Sequence, residues 1–120
     1  GDLLTPEGVK YTEAYWQVAP NQALKITFTP PADIPYWSFV PMNMRMESFD
    51  WHLATVASNN FLAEPNEDGS VTLVMSEQNP GVKNWVYVQG HQRGLMSLRF
   101  ARMGEHAVLE VTTELITLTQ

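Results

Sequence analysis

The chain has 120 residues, long enough to bury roughly two thirds of the surface its unfolded form exposes and so to support a core of its own. It contains no cysteine, which excludes disulfides, thiol nucleophiles and cysteine-ligated zinc. Its net charge is −6 and its seven Lys and Arg are spread thinly, so it lacks the clustered cations that nucleic acid or an anionic membrane surface would need.

No apolar run approaches the about 20 residues that span a bilayer, and no segment reads as a signal peptide. The expectation is a soluble protein, with cytoplasm and periplasm both open as compartments. Gly1 reads as a remnant of tag removal, which would put the native start, and any further domain, upstream.

Along the chain, Thr5 and Pro6 suit the start of a helix, but Gly8 limits it to about a turn. From there the pattern is period two, broken by Pro, Gly, Asn and Asp. Residues 11–18 form an aromatic strand ending at Pro20-Asn21. Leu24, Ile26 and Phe28 then alternate with Lys25, Thr27 and Thr29, giving one dry and one wet face until Pro30. A strand over 36–46 puts Met42, Met44 and Met46 on one face, and Pro41 within it calls for an edge position or a bulge. Further strands are predicted over 49–57 and 61–63.

Asp68-Gly69 predicts a tight hairpin turn in which both residues take positive φ. A strand over 71–77, a turn at Pro80-Gly81 and a short strand over 85–88 follow. Gly90 to Gly94 reads as a loop, and Met96, Leu98 and Phe100 alternate in the strand beyond it. The last strand, over 107–119, begins with Leu109, Val111 and Leu115 on the dry face and then switches to Ile116 and Leu118, as a bulge would produce. Eight or nine strands at such spacing predict a single all-β domain over 1–120, a jelly-roll-like antiparallel β-sandwich with little helix.

Several pieces, in order, resemble one family. They are Ile34-Pro35-Tyr36-Trp37-Ser38, Glu47-Ser48-Phe49-Asp50, Ser58-Asn59-Asn60, Asp68-Gly69-Ser70-Val71, Asn79-Pro80-Gly81 with Asn84-Trp85, and Gly90-His91 ahead of Gly94 and Arg99. Over roughly 24–103 the chain looks like the domain of unknown function family numbered 1214, a bacterial domain usually at the C-terminal end of longer proteins. The resemblance implies a jelly-roll-like sandwich and no settled activity. Many relatives carry Leu-Asp-Thr where this chain has Val86, Tyr87 and Val88, which argues against an essential catalytic carboxylate at that place.

The candidate site residues are Trp37, Asn43, Asn84, Trp85, His91 and Arg99. The two indoles would stack on a ligand, the two amides would bond its hydroxyls, and His91 and Arg99 would meet an anionic group. Each has a plainer reading. Asn84 would cap a loop, Trp85 would fill the core, and the glycines around His91, whose N–H groups would hold an anion with help from Arg93 on the functional reading, would simply serve a tight connection. Arg99 would pair with Glu110 or Glu114 on a neighbouring strand.

Asp50 and His52, two apart on a strand, would face one side as an Asp-oriented imidazole, yet the three histidines are too scattered for a metal site. There is no Gly-x-Ser-x-Gly elbow, and Glu64, Glu67 and Asp68 read as a solvated loop. No cofactor is implied. The leading expectation is a non-catalytic module that binds a small polar ligand, a carbohydrate among the options, or packs on an adjacent domain. The alternatives are a hydrolase using His91 or the Asp50/His52 pair, and a structural domain that forms a homo-oligomer through its methionine stripe.

Overall fold

The computed structural model describes residues 2–4, 9–30, 36–45, 58–59, 63–101 and 111–118. These hold nine strands and no helix: β1 (Asp2–Leu4), β2 (Val9–Gln17), β3 (Gln22–Phe28), β4 (Tyr36–Met42), β5 (Ser58–Asn59), β6 (Val71–Ser76), β7 (Trp85–Tyr87), β8 (Arg93–Ala101) and β9 (Val111–Thr117). One sheet has the order β1-β2-β8-β4-β5 and the other β7-β6-β3-β9. The predicted strands over 49–57 and at 61–62 lie outside the described residues, and Ala63 is not in a strand. Strands β1 and β5 are too short to show a period and were not anticipated.

Register explains the core. Strand β3 is central in its sheet, and it sets Phe28 opposite Val71 and Val111, Ile26 opposite Leu73 and Thr113, and Leu24 opposite Met75 and Leu115. In the other sheet, β8 lies between β2 and β4 and sets Met96 opposite Ala14 and Pro41, and Leu98 opposite Thr12 and Phe39. Ile26, Phe28, Leu73 and Met75 of one sheet and Trp16, Trp37, Phe39, Met96 and Leu98 of the other belong to a single buried cluster. Phe28 and Trp37 meet edge to face across it, with centroids 5.0 Å apart. On its wet face β3 pairs Thr27 with Thr72 (Oγ1 to Oγ1, 3.2 Å) and Lys25 with Glu114 (3.7 Å).

Several expectations change. The pairing is antiparallel except between β6 and β7, which run parallel with Val74 opposite Trp85. Residues 77–84 return the chain along β6 before β7 begins, through an Asn79 turn whose Oδ1 accepts the Gly81 N–H (2.9 Å). Strand β4 stops at Met42, because the Asn43 side chain takes the Arg45 N–H (2.8 Å) and bends the backbone. Met44 is therefore exposed in a turn, Met46 lies outside the described residues, and no methionine stripe is formed by Met42 and Met44. Pro41 is registered opposite Met96 of β8, and among the described residues β5 pairs only with Ser38 and Phe39 of β4.

The turn before β6 also differs. Gly69 donates to the Asn66 carbonyl (3.0 Å) and Asn66 to the Ser70 carbonyl (2.7 Å), and only Gly69 of the Asp68-Gly69 pair has positive φ (89°). That is a three-residue turn with glycine in the left-handed position, not a two-residue one. At the far end, β9 is an edge strand. Its register with β3 runs one to one from Val111 to Thr117, without the expected bulge; Leu115, expected on the dry face, is 51% exposed, while Ile116 and Leu118 are half-buried.

Candidate functional site

A cavity of about 620 Å³ lies at one end of the first sheet, where three segments far apart in sequence converge. Gln17 comes from the last position of β2, Asn43, Met44 and Arg45 from the turn after β4, and residues 90–93 from the approach to β8. Its volume falls within the range usual for small-molecule sites.

Each segment is held by the backbone. Gln17 is registered opposite Arg93, and the pairing continues as the Val18 N–H donates to the Gln92 carbonyl (2.8 Å). Gln89 (φ 54°) and Gly90 (φ 80°) are both left-handed, and the His91 N–H donates to the Val88 carbonyl (3.0 Å). This type I′ turn carries the chain from β7 in one sheet to β8 in the other. Glu77 clamps it from the side: one carboxylate oxygen accepts the Gly90 N–H (2.7 Å) and the other the Tyr87 hydroxyl (3.3 Å). The negative charge of Glu77 raises the Tyr87 phenol above its ordinary value, with desolvation and the hydrogen bond acting in the same direction.

Beneath the cavity, the Trp16 indole N–H lies between the Leu95 carbonyl (2.9 Å) and the Met42 carbonyl (3.3 Å), which ties β2, β8 and β4 together. Gly94 stands opposite Trp16, and a Cβ there would lie 2.0 Å from the Met42 carbonyl oxygen. Gly94 is thus a strand residue that permits a close crossing; the loop expected over 90–94 ends before Arg93.

Of the six anticipated residues, the structure brings Asn43 and His91 to this cavity. Trp37 is 3% exposed in the core against Phe28, so its ring is not offered to a ligand. Asn84 is a strut: its Oδ1 accepts the Glu64 N–H (2.8 Å), and its Nδ2 donates to the carbonyls of Glu64 (2.8 Å) and Thr72 (3.0 Å). Its left-handed φ of 62° is the conformation that lets one amide reach both the loop at Glu64 and strand β6. Trp85 is half-buried, donates its N–H to the Ser76 carbonyl (3.1 Å) and leans on Tyr87.

Arg99 sits in β8 opposite Tyr11 and Ser38, and its side chain lies outside the described residues. The expected partner Glu114 belongs to the other sheet and meets Lys25, while Glu110, Asp50 and His52 lie outside the described residues. Among the described residues no cluster of three or more His, Asp or Glu could hold a metal, and no helix is long and apolar enough to cross a membrane.

Sequence reasoning gave Arg93 only a minor part and passed over Arg45, Gln17 and Glu77. Asn43, two residues before Arg45, carried a turn signal that the alternation of Met42 and Met44 masked. Glu77 had no local signal, because it acts on Gly90, thirteen residues on.

No protein-family model matches the chain, and no curated protein matches it. Two solved structures are similar to it in fold. An uncharacterised protein from Burkholderia cenocepacia superposes with a TM-score of 0.83 at 29% identity, over 92% of this chain and 30% of that one. A protein from Vibrio parahaemolyticus superposes with a TM-score of 0.67 at 16% identity, over 91% of this chain and 31% of that one. The chain therefore spans under a third of the length of either neighbour.

Proposed function

We propose that this chain is a non-catalytic module that binds a small polar ligand at the cavity between Gln17, the Asn43 turn and the His91 loop. The observation that carries this reading is convergence: three separate segments, each pinned by its own hydrogen bonds, present amide, imidazole and guanidinium groups to one space. Pre-set donors and acceptors lower the ordering cost of binding. A sugar or other polyol suits such a lining, because Gln17, Asn43 and Gln92 each offer both a donor and an acceptor group by type.

We also propose that the fold is jelly-roll-like and that the chain is a bacterial domain of the family numbered 1214. The first is supported by how often the chain passes from one sheet to the other, at β2–β3, β3–β4, β5–β6, β7–β8 and β8–β9. A place within a longer protein, packed on an adjacent domain, is supported by the share of its two structural neighbours that the chain covers.

The test is a nuclear magnetic resonance titration with a panel of neutral sugars, polyols and their acidic derivatives. Amide signals of Gln17, Asn43, His91 and Gln92 should shift with ligand while those of Asn84 and Trp85 stay. Shifts confined to Asn84 and Trp85, or none with any member of the panel, would remove the cavity as the site.

A further inference from the structure

Resting on that reading of the cavity, we propose that its ligand is anionic: a small hydroxylated molecule carrying a carboxylate or a phosphate, gripped by Arg45 and Arg93. The chain as a whole is acidic, with thirteen Asp and Glu against seven Lys and Arg. Cations scattered at random over such a surface would rarely meet without an acid between them. Here two arginines line one cavity together with His91, and none of the described residues lining it is acidic.

Glu77 approaches the same loop from elsewhere. It lines an adjoining cavity of about 240 Å³, and there it takes the Gly90 N–H and the Tyr87 hydroxyl. Among its described residues the cavity with the arginines holds two guanidinium groups and no carboxylate, and a guanidinium presents a planar fork that matches two oxygens of a carboxylate or phosphate. The two forks stand on different supports, Arg93 at the first position of β8 and Arg45 on the turn that Asn43 closes. An anion between them would be held from two sides, and the amides of Gln17 and Gln92 would meet its hydroxyls. A neutral sugar would leave both forks to water.

Calorimetric titrations of the 120-residue chain at one fixed ionic strength test this, using matched probes: glucose against glucuronate and glucose 6-phosphate, and glycerol against glycerate and glycerol 3-phosphate. At least one acidic member should bind about tenfold or more tighter than its neutral parent, as charge-assisted hydrogen bonds in a part-exposed site would give. Whether the tighter acid is the carboxylate or the phosphate separates the two sources of charge. The double variant Arg45→Gln/Arg93→Gln, at exposed positions, should bring acid and parent to equal affinity with an unchanged thermal midpoint.

Neutral parents binding as well as their acids would overturn the anionic class and leave the polar cavity standing. A preference for acids that survives in the double variant would overturn the assignment to these two arginines. No heat and no amide shift with any probe would end both readings.

Discussion

Two corners of this molecule have much the same composition and opposite fates. Around Asn84, an amide and a lysine meet the loop over 64–65 while the neighbouring indole meets β6, and the polar atoms are spent within the chain. Asn84 makes three side-chain hydrogen bonds, Trp85 binds Ser76, and the Lys83 ammonium donates to the Pro65 carbonyl (2.9 Å). Around His91, amides and guanidinium groups of similar type border an open cavity, and the backbone bonds that hold them leave the side chains at its wall. A polar residue type does not tell a strut from a site. What decides is where the fold sets it: Asn84 bridges the loop over 64–65 and β6, whereas Asn43, whose Oδ1 takes the Arg45 N–H, and His91 border a cavity.

Substitutions can break that contrast or sharpen it. The largest effect should come from Gly94→Ala, since a methyl 2.0 Å from the Met42 carbonyl would force β4 and β8 apart beneath the cavity. A loss of about 3 kcal/mol is expected from overpacking against backbone. Denaturant unfolding measures it, and a variant as stable as the parent would mean that the Met42 carbonyl does not approach Gly94 so closely.

Next, Asn84→Ala should cost about 2–3 kcal/mol, for three lost bonds and an alanine held at positive φ. Asn43→Ala loses one turn bond near the surface and should cost under about 1 kcal/mol while weakening any ligand at the cavity. Equal destabilisation by the two would erase the difference between strut and site.

A smaller effect tests the clamp on the His91 loop. Glu77→Gln removes the charge that opposes phenolate formation, so the Tyr87 phenol should titrate at lower pH than in the parent, as followed by ultraviolet absorbance. No change would place Glu77 away from Tyr87 in solution.

The smallest effect concerns Asp68, whose carboxylate accepts from the Ser70 hydroxyl (2.6 Å) and N–H (2.9 Å). These bonds lower its pKa below the ordinary 3.8. Because the folded value is depressed, the stabilisation is present above that ordinary value and is lost as pH falls through the folded one. Unfolding curves taken below pH 4 should show a shallower acid dependence in Asp68→Asn than in the parent.

The parts that were legible in advance follow one rule. Strands β3 and β8 advertise themselves by alternation, because each has one face against the other sheet, and Phe28 and Leu98 are buried as their spacing implies, whereas β6, buried at five of six positions, is marked by the turns on either side of it. Strand β4 was overextended through Met44 because a period-two count is blind to an amide that bonds its own backbone. Gly94 was placed in a loop because glycine marks a turn more often than a crossing, and only the position of Trp16 tells the two apart. Trp37 looked like a platform for a ligand, yet its strand parity, the same as that of Phe39, sends it to the core.

What the order of residues determined by itself is the alternation of wet and dry side chains, and hence extended strands and an all-β chain. That information is local: neighbours two apart share a face whatever lies across from them. The tertiary structure alone decided which polar groups meet. Gln17, Arg45 and Arg93 are adjacent only because β2, β8 and β4 are paired in a particular register. Register is set by the fit of whole faces and not by any short motif, so the cavity has no signature that can be read along the chain.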